Sequence, residues 1–261
     1  MGIFKPGTHA EARTLIERQV RHWDYLAAVL KKTSPEKTLA EVSKRPVLTV
    51  SGAVGSGRER LAAALCRDLE YELFGCEILD AVAQDLHCQR MLLDSLDERV
   101  QSNLKTIFES LIHGKEIENR DYFRALVRVM GALAEKGGVV IVGRGGAFIL
   151  KEKAALRIRV DAPYPLCLRR IMEWRKLDEE EARRYIETKE QEQRKFCRRY
   201  FHREICDPLA FDLTINTERI EPAKAVGLVR AALAERGIEI HKPTFSWAAG
   251  EPAGELVGKH H

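Results

Sequence analysis

The chain has 261 residues, 45% hydrophobic and 31% charged, with a formal net charge of +4. That is the composition of a globular protein long enough to bury a substantial core, and no segment approaches the roughly 18 apolar residues that span a bilayer. The N-terminal MGIFKPGTHAEAR carries no apolar export core, so a cytoplasmic chain without a membrane partner is expected.

Residues 10–32 place Leu15, Ile16, Val20, Trp23, Leu26, Ala27 and Leu30 at helical spacing, and Ser34-Pro35 follows as a stop signal. Residues 1–45 therefore read as an amphipathic helical extension. Its apolar stripe needs cover, from the main body or from a second copy or protein partner. PVLTVS at 46–51 reads as a buried strand, a glycine turn follows, and a helix runs over about 58–70. Residues 72–112 suggest several short helices, and 119–136 an amphipathic helix with Asn119 as N-cap and Gly137-Gly138 as stop. Further strands are expected at 138–143, 156–163 and 211–217, with helices at about 164–175, 178–200 and 221–237. The ending from about 242, rich in Pro, Gly and Ala, reads as a tail without order. Short apolar strands alternating with helices give an α/β fold, a parallel sheet sandwiched by helices. Ligands of such sheets sit at the carboxyl ends of the strands. There the chain places the glycine turn, Gly143-Arg144, Asp161 and Asn216-Thr217.

Six cysteines stand apart with no CxxC pair and no zinc-like His spacing, so reduced packing thiols are expected and no metal ligand is assigned. The run Lys189–Arg203 holds six Lys/Arg against two Glu. Arg194 and Arg198 share one helical face, Lys195 and Arg199 another. No aromatic-interleaved sheet or helix-turn-helix signature accompanies this charge, so nucleic acid is not the expected partner.

Gly52-Ala-Val-Gly55-Ser-Gly57-Arg58 has the spacing of a phosphate-cradling loop between strand and helix. GAVGSGRER resembles the phosphate loop of nucleoside monophosphate kinases, G-x-x-G-x-G-K-G-T. VVIVGRGGAFIL, RIRVDAPYPLCLRRIME, RKFCRRYF, the Asp207-Pro208 turn and FDLTINT follow in the order of the cytidylate-kinase-like branch of those P-loop NTPases. The similarity covers roughly 46–235, giving a P-loop domain at 46–241 with a helical lid at about 178–206.

The resemblance implies a kinase, a transferase binding ATP and Mg²⁺, that phosphorylates a nucleoside monophosphate (CMP-like) or another small acceptor. By position, Gly52, Gly55, Ser56, Gly57, Arg58 and Glu59 would hold the donor nucleotide, and Arg169 and Arg170 are the family-like positions that would face it, one of the two being a surface charge. Arg58 takes the lysine position, Arg144 would meet the acceptor phosphate, and Arg194 and Arg198 would serve as lid arginines ahead of Arg199. Four departures stand out. Arg58 replaces the loop lysine. Arg60 replaces the hydroxyl used for Mg²⁺, although a one-residue shift would match Arg58-Glu59 to an Arg-Glu common in this branch. The aspartate after the first helix is Gly75, and the aspartate after Gly-Arg is Gly145. Glu59, Glu77 and Asp161 remain as carboxylates for Mg²⁺. These losses leave a second expectation open: a catalytically degenerate relative acting as a nucleotide-binding or regulatory protein.

Overall fold

In the computed structural model, which describes residues 9–33, 45–96, 98–112 and 119–238, ten helices surround one five-stranded sheet. The strands are β1 (Leu48–Gly52), β2 (Glu72–Phe74), β3 (Val139–Val142), β4 (Leu156–Asp161) and β5 (Leu213–Asn216). The helices are α1 (His9–Thr33), α2 (Arg58–Leu69), α3 (Cys76–Gln84), α4 (Leu86–Asp94) and α5 (Glu98–Ile112). They continue with α6 (Arg120–Lys136), α7 (Gly146–Leu150), α8 (Tyr164–Arg175), α9 (Glu179–Phe201) and α10 (Val226–Glu235). Every strand pair is parallel and the order is β2-β3-β1-β4-β5, so β1 lies at the centre and aims its carboxyl end at the glycine loop.

β3 reads as an unbroken apolar run because both faces of the sheet are covered there, while the edge strand β5 alternates and fully buries only Ile215. Val139 and Ile141 enter one core with Phe74, Phe123 and Leu126, while the alternate residues Val140 and Val142 enter a second core with Leu48, Val50, Leu61 and Leu65. The first core takes in α3 to α6, and the second lies under α2 and α10.

Two expectations are corrected. β2 lies within 72–112, which the sequence pattern gives wholly to helices; at three residues it is too short to show alternation, and it pairs with β3 alone at the sheet edge. Asn119 precedes α6 in a left-handed conformation with φ 58°, and its side chain makes no capping bond. Gly137 does close that helix, at φ 71°, its N–H reaching the Leu133 carbonyl at 2.9 Å.

The extension helix α1 spends its stripe on its own chain. Ala12, Ile16 and Trp23 are buried in the first core, against α3 and α4. The side chains of Leu26, Ala27 and Leu30, the Ser34-Pro35 stop and the tail from 242 lie outside the described residues. The expected lid is one 23-residue helix, α9, started by an Asp178–Glu181 capping box. It is seated near its start by Ala182 and Ile186, and at its end by Cys197, Tyr200 and Phe201.

Candidate active site

The glycine loop is shaped by contacts that only glycine permits. A Cβ on Gly52 would lie 2.1 Å from the Val160 carbonyl oxygen, and one on Gly55 2.6 Å from that of Cys167. Gly55 and Gly57 take φ 83° and 92°, the left-handed region. Among the described residues the amides of Gly57, Arg58 and Glu59 meet no backbone carbonyl, and they open the 12-residue α2. Unpaired amides at a helix start form an anion cradle. The loop carbonyls point the other way. Arg170 donates to the Ser56 carbonyl at 2.9 Å and to Thr217 Oγ1 at 2.9 Å, and Thr217 Oγ1 donates to the Ser56 carbonyl at 2.6 Å. Arg170, not its exposed neighbour Arg169, is thus the arginine of α8 that reaches the loop.

Arg58 folds back over this loop. Its Nη1 donates to the Gly52 carbonyl at 2.7 Å and its Nε to Glu59 at 2.7 Å, leaving the side chain 11% exposed. Burial works against its charge, but the Glu59 carboxylate outweighs that and holds the guanidinium above its ordinary range. Arg60 turns outward to Glu221 at 2.7 Å. Of the three carboxylates open to Mg²⁺, Glu59 is committed to Arg58, Asp161 is gripped by Arg159 at 2.6 and 2.8 Å, and Glu77 accepts from the Cys76 thiol at 3.1 Å. No group of three or more acidic, His or Cys side chains suited to a metal occurs among the described residues. The loop fits nucleotide phosphates; the donor set does not fit a resident Mg²⁺.

Beside the loop lies a cleft of about 460 Å³, within the size range of ligand sites, walled by α3, α6, α9 and the Gly143–Gly145 turn. That turn takes positive φ at all three residues, 80°, 47° and 69°, which projects Arg144 into the cleft. Arg144 forks onto Asp80, Nε to Oδ1 at 2.7 Å and Nη2 to Oδ2, while the Tyr122 hydroxyl donates to Asp80 Oδ1 at 2.6 Å. Burial and then Asp80 raise the Tyr122 phenol, keeping it a proton donor. Asp80 overcomes the desolvation of Arg144 and keeps it firmly charged. Phe196 lies under the guanidinium, 5.5 Å from ring centroid to Cζ. Cys76 joins the two halves. Its thiol donates to Glu77 at 3.1 Å, is pushed up to about 12 by burial and Glu77, and feels both Arg144 and Arg58.

Helix α9 turns to the cleft the face one position round from the one favoured from sequence. Lys195 and Arg199 line the cleft, whereas Arg194 pairs with Glu190 at 3.2 Å and Arg198 with Glu204 at 3.0 Å on the solvent side. Gly145 is fixed by packing, because a Cβ there would stand 2.2 Å from Phe201 Cε2, a ring stacked on Phe148 at 5.1 Å. An aspartate there requires the Phe201 ring to shift. The site's carboxylate comes instead from Asp80, one turn into α3 from the loop end. Sequence reasoning missed Asp80 and Tyr122, since both sit in ordinary amphipathic helices and only the fold brings them to Arg144.

A central strand, a braced glycine loop, and an arginine-bearing turn after the neighbouring strand define a P-loop kinase type of protein. Residues 47–219 match the cytidylate kinase-like family, and the chain belongs to that family. It is 33% identical over 115 residues to a cytidylate kinase of Staphylothermus marinus, a stretch covering 44% of this chain and 60% of that relative. It is 27% identical over 191 residues to a cytidylate kinase of Natronomonas pharaonis, covering 72% and 88%. The crystal structure of an uncharacterized protein from Eubacterium ventriosum is similar in fold, at TM-score 0.52 and 18% identity, covering 73% of this chain and 99% of that one. No described helix is long and apolar enough to cross a membrane.

Proposed function

We infer that the chain transfers the terminal phosphoryl group of ATP to a small acceptor of the nucleoside monophosphate type. The observation that carries this reading is the pairing of an amide-open glycine loop with a cleft whose arginine is already oriented. The loop amides hold the donor phosphates, with the charge of Arg58 behind them. Arg144, Lys195 and Arg199 attract the acceptor phosphate. In the transfer, an acceptor oxygen bonds to the γ-phosphorus as the bond to the β-phosphate oxygen breaks, giving ADP and the phosphorylated acceptor. Catalysis of this kind is positioning and charge compensation. Since the residues do not fit a resident Mg²⁺, no step is assigned to it. The free thiols support a reducing, cytoplasmic setting.

The test is ADP release from Mg-ATP with a panel of CMP, UMP, AMP and GMP. Turnover with at least one acceptor, lowered about a hundredfold by Arg144→Ala, is expected. No turnover with any of them, together with no nucleotide-induced thermal shift, overturns the reading.

A second reading has its own support. Arg58 is tied to Gly52 and Glu59, and Arg60 to Glu221, so the loop's charges are satisfied internally. A nucleotide-binding regulatory protein is consistent with that arrangement, and it is recognised by nucleotide binding without turnover. A protein partner or second copy would meet a face of α1 other than Ala12–Ile16–Trp23, which the chain itself covers.

A further inference from the structure

The matched family segment begins at residue 47, yet α1, which precedes it, is bonded to the helix that carries Asp80. The joint is Asp85. Its backbone N–H closes α3 on the Ala81 carbonyl at 3.0 Å, and its carboxylate caps α4 through the amides of His87 at 2.9 Å and Cys88 at 3.1 Å. The same carboxylate, its side chain only 3% exposed, accepts from Arg13 Nε at 2.7 Å, with His9 Nδ1 at 3.7 Å. A buried carboxylate needs such a cation to offset its lost hydration. At the other end of the segment, Arg18 holds Glu72 of β2 at 2.6 Å. Between these two ion pairs lie β2 and α3, which deliver Asp80 and Gln84 to the cleft wall.

We propose that the N-terminal helix is a clamp on the acceptor wall, with Arg13 as a positioning residue that fixes Asp80 and Gln84 through Asp85. The proposal rests on the acceptor reading above for its functional consequence. Arg13 touches neither the cleft nor the loop. It holds the hinge at which α3 turns into α4, and loss of its charge loosens the last turn of α3 and spreads the Asp80–Arg144 geometry. Among the described residues Asp85 makes no hydrogen bond or ion pair to β1 or α2, so the donor side built on them stays as it is.

The experiment compares the full-length chain with its Arg13→Ala and Arg13→Lys variants by amide hydrogen exchange and by calorimetric titration with ATP and with CMP, UMP, AMP and GMP. In Arg13→Ala, exchange across residues 76–85 accelerates about tenfold while that across 58–69 is unchanged, as expected for local loss of one charged hydrogen bond. Monophosphate affinity falls about tenfold while ATP affinity stays within about twofold, and Arg13→Lys recovers part of both losses. Unchanged exchange across 76–85 in Arg13→Ala overturns the clamp, as does an equal fall in the two affinities. If the wild-type chain binds no monophosphate, the acceptor reading fails by itself. The exchange data then decide the clamp: acceleration across 76–85 with 58–69 unchanged supports it and its absence overturns it.

Discussion

The glycine loop and the neighbouring cleft are two halves of one site, built by opposite means. The loop is backbone: seven consecutive residues, a strand end and a helix start, where a Cβ on Gly52, Gly55 or Gly57 would stand 2.1 to 2.6 Å from its nearest neighbour. The cleft is side chain: Asp80, Tyr122, Arg144 and Lys195 come from four separate segments and meet only after folding. A local motif can therefore survive change in its side chains, as Arg58 and Arg60 show. A dispersed one must be held by packing, as the Phe201 ring against Gly145 and Arg13 against Asp85 show.

The contrast breaks if the cleft tolerates what packing forbids. Gly145→Asp, which restores the residue expected from true cytidylate kinases, is expected to cost about 3 kcal/mol in urea unfolding, from overpacking against Phe201 plus a left-handed non-glycine residue. A neutral effect would mean that α9 is not seated as described. Next in size, Arg144→Ala lowers turnover about a hundredfold while ATP affinity holds, the signature of lost transition-state charge compensation. The two lid faces sharpen the comparison further. Lys195→Ala or Arg199→Ala raises acceptor KM about tenfold, while Arg194→Ala and Arg198→Ala, removing exposed ion pairs, stay within about twofold. The reverse pattern would return the site to the face favoured from sequence. Tyr122→Phe is smaller, about 1 kcal/mol or roughly fivefold in turnover, because Asp80 keeps Arg144.

A pH effect tests the clamp region. Burial works against the Asp85 charge, but the Cys88 amide and Arg13 outweigh it and hold the carboxyl below its ordinary range. A lowered folded value means that the stabilisation is complete above the unfolded value of about 3.9 and is lost as pH falls through the folded one. Acid unfolding of Arg13→Ala should accordingly begin at higher pH than that of the wild type.

How much was legible follows the same division. β3 is legible because two-sided burial demands an unbroken apolar run, β1, β4 and β5 because short β-branched stretches lie between turn signals, and the loop because its spacing is local. β2 escaped notice because three residues carry no period. Arg169 and Arg170 are adjacent in sequence, and nothing there says which one turns inward. Arg194 and Lys195 differ by a rotation of one position around α9, which only the packing of Tyr200 and Phe201 settles. The N-terminal helix was readable as amphipathic, but its electrostatic tie to Asp85 spans 72 residues and lies beyond any spacing rule.

The Arg170–Thr217 brace has one more consequence. By drawing the Ser56 carbonyl backward it sets the loop's peptide planes before any nucleotide arrives. An anion entering such a cradle spends none of its attraction on ordering the chain, so the freedom usually surrendered on association was already surrendered during folding. The same guanidinium, facing away from the ligand, also adds its field to the row of amide dipoles in front of it. A residue bonded to the carbonyl side of the loop can in this way set both how tightly and how quickly an anion is taken up.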